Sequence, residues 1–76
     1  MEIDEDKIDD AVLALLHLTV DRDGRAWKGF DWEAMNRLHT KGMIYNPVGK
    51  AKSVGLTEEG VRQSKDLFDR MFAKSK

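Results

Sequence analysis

Asn36, Arg37, Thr40 and Lys41 stand at helical spacing in one short stretch. Among the side chains of this chain they are the best suited to chemistry, and that chemistry is recognition of a polyanion. Arginine bridges O6 and N7 of guanine and asparagine pairs with adenine, so this set on an outward helix face would address base edges in a major groove. Lys50 and Lys52, in the turn-rich segment PVGKAK, and Arg25 and Lys28, between Gly24 and Gly29, would hold phosphates. The partner that suits such a set is double-stranded DNA. A plainer reading competes with it. Glu33 and Arg37 are four residues apart, the spacing of a surface ion pair worth a few tenths of a kcal/mol. Lysines at a hairpin tip also serve solubility and discourage edge pairing.

Catalysis finds little support in the residue pattern. The serines and threonines fall at caps and turns, and no Gly-x-Ser-x-Gly motif is present. His17 and His39 are distant in sequence, and neither has a second histidine three or four residues away, so no metal site is expected. The acidic start of the chain lacks the alternating ligands and central glycine of a calcium loop. The expectation is a domain that is not an enzyme, with no cofactor and no metal.

The bounds set by composition agree. Seventy-six residues make a single domain with a thin core, burying about 60% of the surface that the unfolded chain exposes. There is no cysteine, which fits a reducing compartment. The acidic beginning MEIDEDKIDD is unlike a secretory signal, and the longest apolar run, Ala11 to Leu16, is far below the roughly 20 residues of a membrane span. A cytoplasmic location without membrane contact is expected. The formal net charge of −1 is unevenly spread. Residues 1–21 hold seven acidic side chains against Lys7 alone, a local charge of −6. Residues 22–52 hold seven basic against three acidic, a local charge of +4, so the middle third is the part able to attract a polyanion.

The elements that must position these residues can be read from caps and periodicity. Asp4 caps a first helix running to about Thr19, with Glu5 and Asp6 at the positive end of its dipole and Ile3 and Ile8 as a hydrophobic staple. Its apolar residues cover much of the cylinder. Two glycines then bracket Arg25 to Lys28, a short strand or irregular turn in which Trp27 reads as a core plug. Asp31 caps a second helix and Gly42 takes the left-handed position that ends it, with Met43 touching Leu38 across a Schellman turn. Trp32, Met35 and Leu38 face inward on this reading. Residues 43–46 and 53–56 read as a hairpin around the basic tip. Thr57 caps the last helix, whose buried stripe is Val61, Ser64, Leu67, Phe68, Met71 and Phe72, while AKSK frays at the end. Gly60 costs this helix about 1 kcal/mol against alanine, which a close backbone approach would explain. The order implies an α+β domain: a compact winged helix-like unit of three helices, a small antiparallel hairpin and room for a third short strand.

Two resemblances sharpen this expectation. Met35-x-x-Leu38-x-x-x-Gly42-Met43-Ile44, a basic turn, and then LTEEG resemble the recognition-helix, wing and C-terminal helix passage of MarR- and PadR-type regulators. That likeness implies DNA docking through the second helix and the wing. The segments KIDDAVLALLHLT, AWKGFDW, NPVGKAKSV and LTEEG are also similar to a family of small bacterial proteins of unknown function. The chain departs from the regulators between Thr19 and Asp31. A strand and a full supporting helix do not both fit there, so the supporting helix is absent or reduced to a turn.

A last expectation concerns association. Leu13 and Leu16 on the first helix, with Leu67, Phe68, Met71 and Phe72 on the last, make apolar surface able to meet a second copy or another protein. The same fold would then serve as a homodimeric regulator or as a protein-interaction adaptor that binds no DNA.

Overall fold

Capping chemistry decides where each helix begins. In the computed structural model, which describes residues 1–74, Asp4 accepts from the backbone N–H of Lys7 at 3.2 Å and starts α1 (Glu5–Leu16). Asp31 accepts from Ala34 at 3.0 Å and starts α2 (Trp32–Thr40). Thr57 accepts from Gly60 at 3.0 Å and starts α3 (Glu58–Phe72). Two short strands complete the chain, β1 (Arg25–Trp27) between α1 and α2 and β2 (Ser53–Gly55) between α2 and α3. They pair antiparallel, with Arg25 opposite Gly55, Ala26 opposite Val54 and Trp27 opposite Ser53. The architecture is α+β, three helices around a two-stranded sheet, an order that fits a compact winged helix. Residues 20–30 contain no helix, so no supporting helix stands between α1 and α2. Of the AKSK ending, Ala73 and Lys74 lie beyond α3 without regular structure, and residues 75–76 lie outside the described part.

The core joins Val12, Leu13 and Leu16 of α1 to Ala34, Met35 and Leu38 of α2, with Ala26, Ile44, Val54, Leu56 and Leu67 closing it. The end of α2 is a full Schellman turn. Gly42 sits at φ +79° and donates to His39 O, while Met43 N donates to Leu38 O, both at 3.0 Å. Gly60 is explained by contact: a Cβ there would run into the carbonyl of Met43.

Several sequence expectations need correction. The first helix stops at Leu16 rather than Thr19. The N–H groups of His17, Leu18 and Thr19 reach back only three residues, and Thr19 Oγ1 instead accepts from Trp27 N at 2.9 Å, drawing the chain toward β1. The stretch 43–46 makes a single bridge, Ile44 to Leu56, plus the bond from Tyr45 N to Gly55 O at 2.8 Å. The main partner of β2 is therefore β1 rather than the preceding segment. Trp27 and Trp32 are about half exposed, not inward. Met71 and Phe72 are exposed as well, because the last turn of α3 projects beyond the core formed at Leu67. His17 sits at the core edge, with its ring against Phe68 at 5.2 Å between centroids.

Candidate nucleic-acid interface

Asp9 organises the α2 side of the molecule. It occupies the inward face of α1, one and two turns ahead of Val12, Leu13 and Leu16, and only 1% of it is exposed. An isolated carboxylate cannot remain charged in such a place without donors. Arg37 supplies Nε at 2.9–3.0 Å from both oxygens, with Nη2 at 2.9 Å, and Lys41 supplies Nζ at 2.9 Å. Arg37 continues to Glu5 at 3.0 Å and Lys41 to Asp6 at 2.9 Å. Burial alone would raise the Asp9 carboxyl, but the hydrogen bonds and charges of Arg37 and Lys41 outweigh it and hold the group below the ordinary carboxylate range. The hydrogen bond to Asp9 raises Arg37 in return, and those to Asp9 and Asp6 raise Lys41.

This network corrects the reading of α2 as an outward basic face. Arg37 is turned toward α1, and its partners are Asp9 and Glu5 rather than Glu33. Lys41 is equally engaged. What α2 leaves in solvent is Trp32, Glu33, Asn36, His39 and Thr40, and the Thr40 hydroxyl donates to Asn36 O at 3.1 Å within the helix. The signal that would have found Asp9 is its place on the apolar stripe at i, with Val12, Leu13 and Leu16 at i+3, i+4 and i+7.

The sheet side is built differently. Arg25 donates through Nε to Ser53 Oγ at 2.9 Å and through Nη2 to Ser53 O at 2.8 Å. Lys28 donates through Nζ to Pro47 O at 2.7 Å and Gly49 O at 3.1 Å, while its backbone N–H meets Lys52 O at 3.1 Å. These bonds pin the loop 46–52 to the end of β1. The loop also turns on itself, as the Asn46 side chain accepts from Val48 N at 3.0 Å. Lys50 and Lys52 are exposed and have no ion pair among the described residues.

On the outer face of the sheet, which Arg25 shares, stand two exposed aromatic rings, each seated on a glycine. Arg25, Gly55 and Tyr45 form one row across the sheet, and a Cβ at Gly55 would lie 3.0 Å from Tyr45 Cδ2 and 3.6 Å from Arg25 Nη1. The phenol ring and the guanidinium thus share the space that Gly55 leaves. Two residues along β1, Trp27 folds over Gly29, where a Cβ would overlap its six-membered ring, and it packs edge-to-face with Phe30 at 5.6 Å between centroids. Trp27 is 52% exposed and Tyr45 62%. The sequence reading missed this pair because nothing local says which face of a three-residue strand is covered.

The apolar surface expected to form an interface divides in the same way. Leu13 and Leu16 are sealed inside the domain, Leu67 is buried, Phe68 is partly covered, and only Met71 and Phe72 present themselves to solvent. A cleft of about 210 Å³ lies where Leu13, Leu38, Met43 and Leu67 meet below Lys41 and Arg70. It is smaller than the roughly 300–1,000 Å³ typical of small-molecule sites. No three histidine, aspartate or glutamate side chains among the described residues converge as metal ligands. No helix among them is long and apolar enough to cross a membrane.

An uncharacterised protein from Sinorhizobium fredii, y4hR, is 61% identical over 74 residues, covering 97% of this chain and all of that protein. No solved structure matches. A family model described as a domain of unknown function, DUF6429, matches residues 4–74, which spans every element from the cap of α1 to the end of α3, and the chain belongs to that family.

Proposed function

We propose that this domain binds nucleic acid through its sheet side and wing, with Lys50 and Lys52 on phosphates and Arg25 and Lys28 behind them, rather than through α2. One observation carries the reading. The cations of α2 are bound to carboxylates, whereas Arg25 and Lys28 are bound only to neutral oxygens. A cation held by a carbonyl keeps its charge, so this side retains a positive field that α2 does not. Four phosphate contacts correspond to a log–log salt slope of roughly −3 to −4. The test is an NMR titration of the labelled domain with nucleic acid at rising salt. Amide shifts at 25–28 and 45–55 that fade along that slope, and that vanish in Lys50→Glu/Lys52→Glu, support the reading. Shifts confined to 36–41, or binding insensitive to salt, would overturn it.

A second reading rests on Met71 and Phe72, which leave an exposed apolar end on α3. It makes the domain an adaptor or a homodimer joined there. Sedimentation of the wild type against Phe72→Asp separates that reading from a monomeric nucleic-acid binder.

A further inference from the structure

We infer that the sheet face takes single-stranded rather than duplex nucleic acid, with bases stacking on Trp27 and Tyr45 beside Arg25; the inference rests on the nucleic-acid reading above. Trp27 stands two residues along β1 from the row that Tyr45 shares, and Tyr45 lies on the far side of β2, about 12 Å away at the backbone from ordinary strand spacings. The Arg25 guanidinium shares the space over Gly55 with Tyr45 and is fixed by two hydrogen bonds to Ser53, the residue opposite Trp27. A duplex keeps its bases stacked on one another and gains nothing from exposed rings, whereas unpaired bases offer a π-face to any aromatic side chain. An exposed ring ordinarily loses rotamer freedom when a ligand immobilises it. Here Gly29 and Gly55 seat the rings, so little side-chain freedom remains to be lost when a base arrives.

Charge selects the occupant. A proline-rich peptide would also use two rings, but the cations around them add nothing to its binding. Arg22, Arg25, Lys28, Lys50 and Lys52 outnumber Asp21 and Asp23 in the segments that frame the face. Asp21, which accepts from the backbone N–H groups of Asp23 and Arg25, keeps its charge, so the selection rests on the excess of cations. Rings for the bases and cations for the phosphates together describe a polyanion with unstacked bases.

The experiment uses the full chain carrying Trp32→Phe, so that Trp27 is the single indole reporter. Its fluorescence is titrated with oligo-dT, oligo-U, a duplex of equal length and a decaproline peptide. Quenching by the two single strands is expected, weaker binding by the duplex, and none by the peptide. Tyr45→Ser, at an exposed position that leaves the core intact, is expected to weaken single-strand binding roughly tenfold while sparing the duplex. Trp27→Leu, read by fluorescence anisotropy of labelled oligo-dT, is expected to do the same, with circular dichroism confirming that both variants fold. Equal affinity for single strand and duplex, with both ring variants unchanged and the Lys50→Glu/Lys52→Glu pair still weakened, would overturn the stacking inference and leave the parent reading standing. Absence of binding to any nucleic acid would overturn both, and quenching by the peptide alone would replace the ligand class.

Discussion

Arg37 and Lys41 on one side of the domain and Arg25 and Lys28 on the other are alike in sequence terms and opposite in electrostatic terms. All four cations are hydrogen-bonded at 2.7–3.1 Å. Those of α2 end on Glu5, Asp6 and Asp9 of α1, three carboxylates against two cations, so no positive field is left on that side. Those of β1 end on Ser53, Pro47 and Gly49, which brace the side chains without neutralising them. Counting basic residues therefore says little about where a polyanion can dock. What matters is whether each donor has found a charged or a neutral acceptor.

The strongest way to break the comparison is Asp9→Asn. It removes the negative charge that two cations share and leaves them facing an amide at the α1–α2 contact. A stability loss of about 2–3 kcal/mol is expected, below the figure for a fully buried pair because Arg37 and Lys41 keep some solvent. Urea unfolding would measure it, and a change under about 0.5 kcal/mol would mean that the network is ornamental. The pH dependence of stability comes next. The folded carboxyl of Asp9 titrates below its unfolded value of about 3.9, so its contribution is complete above that value and is lost as pH falls through the folded one. Thermal unfolding of the wild type is expected to lose midpoint on acidification below about pH 4.5, with a shallower loss in Asp9→Asn. Parallel slopes would assign the acid sensitivity to other groups. The smallest effect is expected from Lys28→Met, which keeps the aliphatic stem and removes the bonds to Pro47 O and Gly49 O. It should cost about 1 kcal/mol globally, yet raise hydrogen exchange selectively at residues 48–52. Unchanged exchange in that loop would show that Lys28 does not hold it.

What was legible in the sequence was local. Asp4, Asp31 and Thr57 cap through bonds to residues three positions on, and Gly42 ends its helix through bonds that span four or six residues, so a short window contains the whole motif. Gly60 was legible as an anomaly, although its cause, the Met43 carbonyl, required the fold. The pairing of Arg37 and Lys41 with Asp9 spans 28 and 32 residues, and no local rule brings those segments together. The same holds for the exposure of Trp27. Its fate depends on β1 pairing with β2 and on Ala26, not its neighbours, facing the core. The candidate site was thus half visible: its lysines could be named, but the aromatic partners and the silencing of α2 could not.

The junction between α2 and α3 carries a separate lesson. Thr57 donates its hydroxyl to Gly42 O at 2.7 Å and its N–H to Met43 O at 3.0 Å, while Gly60 lies flush against the same carbonyl. Residues 43–57 therefore leave and re-enter the domain through one stitched point; Ile44, Val54 and Leu56 belong to the core, and the tip at 48–52 is the part that stands outside it. Each doubling of a flexible loop costs only about 0.6 kcal/mol in closure entropy. Tips of different length and charge beyond the Lys28 clasp are thus interchangeable on an unaltered core, and related chains have the freedom to vary what they touch without relearning how to fold.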